Sequence, residues 1–380
     1  MNIVHVWSDG WNEFNSSRWR GLNLNRPLRV VGHHLVDAHI DQWFKNTPEI
    51  RRACSIADLI IVQRVMVEEA LERVKFWREH HKPIVVDADD PYQLLVDQAT
   101  TGNQASKFWY EGKVDVHTSL GVSYEKKLDR HPMEQFIAGC RMITGMSMPS
   151  RILMQDWQQY AHCWYIPNFI DSEHYLPFRR TPERRRKTDE PLVLGYGSSM
   201  SHLPSFRDSG VLEALRRVFL QRKNVQYLHC GDERIMPMLP IADSRKLYQP
   251  YVTWEVWPKV MSRFDLTLAP MCGRYDDSRS AIKLTEATLM GVPIVASRSP
   301  AYQDFVEAGI GVYTSDSGKD KEGIDKRAAE WEVALLDMID HYDDHRDRIH
   351  SRFDYVLEHY DATLNVHYVE SQYRDMIEAG

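Results

Sequence analysis

The sequence predicts an α/β chain folded as two Rossmann-like domains, and three observations carry that expectation. A length of 380 residues is too great for one ordinary hydrophobic core and suits two α/β domains. In both halves, short apolar runs alternate with amphipathic stretches of helical length, as parallel βαβ units require. Between the halves lies Pro177 to Pro191, PFRRTPERRRKTDEP, which has no apolar periodicity and a dense basic run, and reads as an interdomain linker or an exposed loop. The expected boundaries are 1–176 for the first domain, 177–191 for the linker, 192–355 for the second domain and 356–380 for a terminal helix.

In the first half, Asn2 to Trp7, Ala57 to Val62 and Lys82 to Asp87 read as strands, with a helix over Val67 to Glu79. Ala138 to Thr144 and His162 to Ile166 read as short strands around a helix over Ser150 to Tyr160, after which Pro167 and Asn168 break the pattern. The alternation restarts with a strand at Leu192 to Gly195, a helix over Val211 to Gln221, and strands at Val225 to Cys230, Asp265 to Ala269 and Gly311 to Tyr313. Ile282 to Ser297, IKLTEATLMGVPIVAS, is an αβ unit in which Gly291 stops the helix and Pro293 opens the strand. Ser280 can cap that helix, leaving the amides of Ala281, Ile282 and Lys283 to face a diphosphate-sized anion. Thr314 to Lys326 is polar, and beyond it Trp331, Leu335, Met338, Tyr342, Ile349, Phe353, Val356 and Tyr360 mark long helices with one apolar face.

Composition narrows the functional classes. A net charge of −7 argues against wholesale nucleic-acid binding, although the basic run keeps a local polyanion or an anionic membrane surface as alternatives to a solvated charge run. The five cysteines, Cys54, Cys140, Cys163, Cys230 and Cys272, are odd in number and contain no CxxC, so they read as reduced thiols rather than a disulfide framework or zinc site. The N-terminal MNIVHVWSDGW does not resemble a signal peptide and no run approaches membrane-spanning length, so a cytoplasmic protein is expected. The 11 Trp and 18 Tyr favour pockets for flat or sugar-like ligands, though ordinary core packing is the commoner explanation. His341 and His345 have metal-ligand spacing, but their neighbours Asp343, Asp344 and Arg346 place them on a solvated face.

Candidate chemistry gathers in a few segments. In LGYGSSMSH, Gly195 and Gly197 follow a strand but Met200 stands where a dinucleotide fingerprint needs its third glycine, so the segment is either a tight turn or a close backbone approach to phosphate or sugar. VVDADDP sets Asp87, Asp89 and Asp90 at the carboxyl end of a strand, where they can hold a cation, bind sugar hydroxyls or cap a helix. Ser8 to Pro27 reads as a long loop carrying Asp9, Arg18, Arg20 and Arg26, whose arginines either close over a phosphorylated ligand or make surface ion pairs. His117 is either an acid/base or sugar contact, or a surface histidine near a turn.

Taken in order, these segments resemble the GT-B glycosyltransferases of family 4, also called group 1, over nearly the whole chain. KLTEATLMGVPIVAS is similar to the family's Glu-x7-Glu region, in which the last glutamate, here Glu286, binds the ribose of the sugar nucleotide; Ser278 occupies the place of the first. WYIPNFIDSEHY resembles the Pro-Asn-Gly-Ile-Asp segment at the domain junction, LGYGSSMSH the Gly-Ser loop, and WPKVMSRFDLTLAPM the segment before the donor site. The family's basic pair after the Gly-Ser loop has no match in GSSMSHLPSF, so Lys283, then Arg274 and Arg279, are the candidates for neutralising the leaving diphosphate.

The resemblance implies two Rossmann-like domains facing a cleft, a last helix crossing back to the first domain, and sugar transfer from a UDP-, GDP- or ADP-sugar with retention and no obligatory metal or other cofactor. The implied donor site is Gly197, Ser198, Gly231, Asp232, Tyr251, Val252, Arg274, Ser278, Ala281, Ile282, Lys283 and Glu286. Asp89, Asp90, His117 and Lys283 are the candidate catalytic residues, with Asp9, Arg18 and Arg20 on the acceptor side. The acceptor stays open between glycan, lipid, protein and modified nucleic-acid base. A GT-B-type sugar-nucleotide epimerase and a non-catalytic sugar-nucleotide or glycan binder are the alternatives.

Overall fold

The computed structural model describes residues 1–8, 16–95, 107–117, 123–181, 190–316 and 323–380, with the side chains of 115–117, 123 and 316 excepted. Among them the chain forms two compact units: Met1–Phe169 with Ser278–Ser280 and Ala362–Gly380, and Ile170–Asp277 with Ala281–Asp361.

In the first unit, β1 (Asn2–Trp7), β2 (His34–His39), β3 (Leu59–Gln63), β4 (Ile84–Asp87), β7 (Gly145–Met148) and β8 (Cys163–Tyr165) form a parallel six-stranded sheet, ordered β2-β1-β3-β4-β7-β8. The strands β5 (Lys113–His117) and β6 (Ser123–Lys127) make a separate antiparallel pair. β3 and β4 are buried along their whole length, the reason they read as unbroken apolar runs. β2 carries His34, Asp37 and His39, has only two buried positions, and gives no such signal. Ile3, Leu35, Leu59, Ile61 and Val85 pack against Val366, Val369, Tyr373 and Met376 of the last helix, Val366–Glu378, which therefore completes the core of the first unit.

Two expected elements differ. Ala138 to Thr144 is not a strand: Pro132–Cys140 is a helix with Pro132 at its start and His131 Nδ1 accepting from the Met133 amide at 3.3 Å, and the strand begins at Gly145. The expected loop from Ser8 to Pro27 contains a π-helical turn, Arg18–Leu22, running into the helix Asn23–Val30.

The second unit holds β9 (Leu192–Ser198), β10 (Val225–Gly231), β11 (Lys246–Gln249), β12 (Leu266–Ala269), β13 (Ile294–Arg298) and β14 (Val312–Asp316), all parallel and ordered β11-β10-β9-β12-β13-β14. This is the doubly wound Rossmann order, in which the chain reverses direction between β9 and β12, and ligands bind at the carboxyl ends of the strands at that reversal. Val211–Gln221 and Ile324–Asp340 cover the sheet with Leu215, Val218, Trp331 and Leu335.

The start of the basic segment is docked rather than solvated. Arg180 pairs with Asp265 at 2.6 Å, and Arg179 lies 4.0 Å from the Phe353 ring centroid, while residues 182–189 lie outside the described ones. His345 is also buried, bonded to Asp337 at 2.8 Å, and His341 meets the same carboxylate at 3.0 Å. Among the described residues no group of three His, Cys, Asp or Glu is arranged to hold a metal, and no helix is long and apolar enough to cross a membrane.

Candidate active site

At the carboxyl end of β9, Gly197 faces the Trp257 indole so closely that a Cβ on it would lie 2.1 Å from the ring. The missing side chain accommodates an aromatic ring, a different use from the phosphate approach considered from sequence. The ring it admits donates from Nε1 to Glu286 Oε1 at 2.8 Å, and Tyr175 donates to the same oxygen at 2.7 Å. Burial pushes the Glu286 carboxyl up to about 7, with the Tyr175 hydrogen bond, the Lys283 charge and the Trp257 hydrogen bond opposing the rise.

Lys283, one turn earlier on the helix Ile282–Met290, donates from Nζ to the Gly197 carbonyl at 2.5 Å and lies 4.9 Å from the Tyr196 ring centroid. The helix has no side-chain cap at Ala281, contrary to the role expected for Ser280, whose Oγ instead accepts from Asn168 Nδ2 at 2.8 Å. Leu284 and Thr285 donate their amides to the Ala281 carbonyl, and the Ile282 amide ahead of them lies in the first helical turn, where backbone N–H groups suit an anion. Ser198 Oγ, at the last position of β9, is buried without a hydrogen-bond partner.

Gly231 ends β10 with φ +122°, a conformation that favours glycine, and a Cβ there would lie 2.0 Å from the Ser198 carbonyl oxygen. Asp232 is occupied by Arg234, accepting from its amide at 3.0 Å and from its guanidinium at 2.6 Å, so its carboxyl is held below the usual range. His229 is buried with Nε2 2.9 Å from the Asp232 carbonyl oxygen, and burial pushes its imidazole down to about 4. It is therefore neutral near pH 7, whereas Lys283 brings a positive charge to the end of β9. Tyr251 is 61% exposed, Val252 is half-buried and Arg274 is exposed. Ser278 is fully buried and groups with the first unit, and of its acidic neighbours Asp276 accepts from the Cys272 amide and Asp277 from Ser299.

In the first unit the structure gathers two arginine–aspartate pairs near the carboxyl ends of β3 and β4. Arg20 is buried, donating from Nε and Nη2 to Asp87 at 3.0 and 2.7 Å and from Nη1 to the Ile166 carbonyl and Asn168 Oδ1. Ser147 adds a third hydrogen bond to Asp87 at 2.6 Å. An arginine so engaged is a structural group, different from the mobile ligand-closing role considered from sequence. Arg64, with φ +63°, grips Asp89 with two hydrogen bonds of 2.7 and 2.8 Å and lies 3.8 Å from Asp90. Burial raises the Asp89 carboxyl, but the Arg64 charge and hydrogen bonds outweigh it and hold the group below its usual range. Asp89 is thus a fixed anion, and Asp90 is the more exposed of the two. Arg18 is half-buried on the π turn, Asp9 lies outside the described residues, and for His117 the backbone alone is described, at the end of β5.

Tyr175, Trp257 and His229 are the site residues that sequence reasoning missed as such. Tyr175 and Glu286 are 111 positions apart, and no local pattern joins them.

No family model matches the sequence, and no curated protein does. Solved structures do resemble the fold. Sucrose-phosphate synthase from Thermosynechococcus elongatus aligns at a TM-score of 0.64 and 12% identity over 100% of this chain and 99% of its own. HepE of Anabaena, in complex with UDP and glucose, aligns at 0.63 and 12% identity over 98% and 99%. The pneumococcal O-GlcNAc transferase GtfA, in complex with UDP and GlcNAc, aligns at 0.54 and 10% identity over 84% and 57%. With the two parallel six-stranded sheets, these likenesses define the fold class as GT-B, two Rossmann-like α/β domains in one chain.

Proposed function

We propose that the chain is a glycosyltransferase that takes a sugar from a nucleotide-sugar donor bound at the carboxyl edge of the second sheet, in the manner of family 4. The observation that carries this reading is the meeting of Lys283, Glu286, the uncapped helix start at Ala281 and the unpartnered Ser198 hydroxyl around the reversal between β9 and β12. A helix N-terminus and a lysine suit a diphosphate, and a buried carboxylate suits ribose hydroxyls. That HepE and GtfA, of similar fold, hold UDP favours a uridine nucleotide among the candidates.

In this reading Ile282 and Lys283 steady the negative charge that grows on the diphosphate as the sugar leaves, the main electrostatic task of the transfer. Gly231, Asp232, Tyr251 and Val252 border the base. Retention and independence of a metal are parts of the proposal that follow from the family resemblance. The first unit takes the acceptor, and Asp90, more exposed than Asp89, is its leading polar contact.

Calorimetry with UDP-, GDP- and ADP-sugars tests the donor site: Glu286→Ala and Lys283→Ala are each expected to weaken the best ligand by about tenfold or more. Unchanged binding in both variants would sink the assignment. A second reading, a binder without transfer, is favoured by Ser278 in the place of a glutamate; it predicts tight donor binding with neither donor hydrolysis nor transfer.

A further inference from the structure

We propose that Tyr175 and Trp257 are positioning residues for ribonucleotide recognition, fixing the Glu286 carboxylate through Oε1 so that Oε2 is the oxygen offered to the ribose hydroxyls. The inference rests on the donor-site reading above and adds to it two residues that act through Glu286.

The geometry is a clamp built from separate stretches of chain. Tyr175 closes the short helix Ser172–Tyr175 and is fully buried. Its neighbour His174 stacks on Trp254 with ring centroids 3.4 Å apart and sets Nε2 3.0 Å from the Trp254 carbonyl oxygen, which anchors the backbone carrying the phenol. Trp257 lies in the slot left by Gly197 and cannot swing towards β9. With donors at 2.7 and 2.8 Å on Oε1, rotation of the carboxylate breaks two hydrogen bonds at once, and among the described residues both of these bonds go to the same oxygen.

Ribose offers two neighbouring hydroxyl donors, and a fixed, ionised acceptor recognises them better than a rotating or protonated one. The titratable groups facing Glu286 are Tyr175, from the helix packed against it, and Lys283, from its own helix; Trp257 carries no charge. Burial favours the neutral acid, and the two hydrogen bonds and the lysine favour the carboxylate. Removing the Tyr175 hydroxyl therefore both loosens the carboxylate and moves its titration to higher pH.

The test is calorimetric titration of UDP, GDP and ADP, each against its 2′-deoxy counterpart, from about pH 6 to about pH 9, on wild type, Tyr175→Phe, Trp257→Phe and Glu286→Gln. Wild type is expected to prefer its best ribonucleotide over the deoxy form by about tenfold. Tyr175→Phe, which keeps the ring and its packing, is expected to shrink that preference at least about threefold and to shift its loss to higher pH, with deoxynucleotide affinity within about twofold of wild type. Trp257→Phe is the second variant and is expected to move the preference in the same direction. Equal weakening of both nucleotide forms, or a preference and pH profile left unchanged, overturns the positioning role. If Glu286→Gln erases the preference while the two aromatic variants keep it, the donor site stands and this inference falls; if wild type binds none of the nucleotides, both fall.

Discussion

Under the proposed donor site, Glu286 sets stability against binding in one side chain. Its carboxyl is fully enclosed and pushed up to about 7 from an ordinary value of 4.5, so the folded chain holds that proton more tightly than the unfolded one. For a group raised in this way, the stabilising contribution is complete below the unfolded value and is lost as pH rises towards the folded one. Wild type should therefore lose stability relative to Glu286→Gln between about pH 4.5 and about pH 7, by roughly 3 kcal/mol, with the difference level above that range. Urea unfolding at a series of pH values checks this, and a stability difference independent of pH would refute it. On the donor-site proposal, affinity for the nucleotide should run the opposite way, strengthening as the carboxylate forms. Part of this residue was legible in the chain, because the helix start, Lys283 and Glu286 lie within a few positions of one another. The hydrogen bonds that define its chemistry come from Tyr175 and Trp257, which are distant in sequence, and no periodicity reports such a meeting.

At the scale of elements, the ends of β3 and β4 are fixed by charge. Arg20 and Asp87 expose 1% and 4% of their side chains, and Ser147 and Asn168 complete the network. Arg20→Met leaves a buried carboxylate without its cation and should cost about 3–5 kcal/mol, whereas Arg20→Met combined with Asp87→Leu should cost less than the sum of the single changes. A denaturation double-mutant cycle measures this, and strict additivity would contradict the coupling. The sequence showed Arg20 only as one arginine on a long segment, since nothing local reveals that a π turn carries it inward. Strand detection had a similar limit. Strands enclosed on both faces, such as β3, β4 and β13, were legible as apolar runs, while the edge strands β2 and β11 were missed because much of their surface is polar or exposed. Ala138 to Thr144 was misread because a short apolar run fits a buried helix as well as a strand, and the cap at His131 and Pro132 arbitrates between them.

On the scale of the whole molecule, both units owe their cores to segments far apart along the chain. The terminal helix contributes Val366, Val369, Tyr373 and Met376 to the first unit, each with little or no exposed surface. A chain ending at Asp361 should leave that face bare, and the first unit should melt at lower temperature or aggregate while the sheet of β9 to β14 keeps its own transition. Differential scanning calorimetry with limited proteolysis distinguishes this from uniform destabilisation. The two-domain α/β plan was legible because alternation of apolar runs persists through noise at any one element. Which unit claims a given segment was not, as Ser278–Ser280 illustrates: three residues between stretches of the second unit group with the first.

The terminal helix also sets a schedule for biosynthesis. The first sheet leaves the ribosome before any of the second, yet its core is unfinished until residues as late as Met376 have emerged. The second unit, whose segments end at Asp361, can close earlier, so the half synthesised first is the half that matures last.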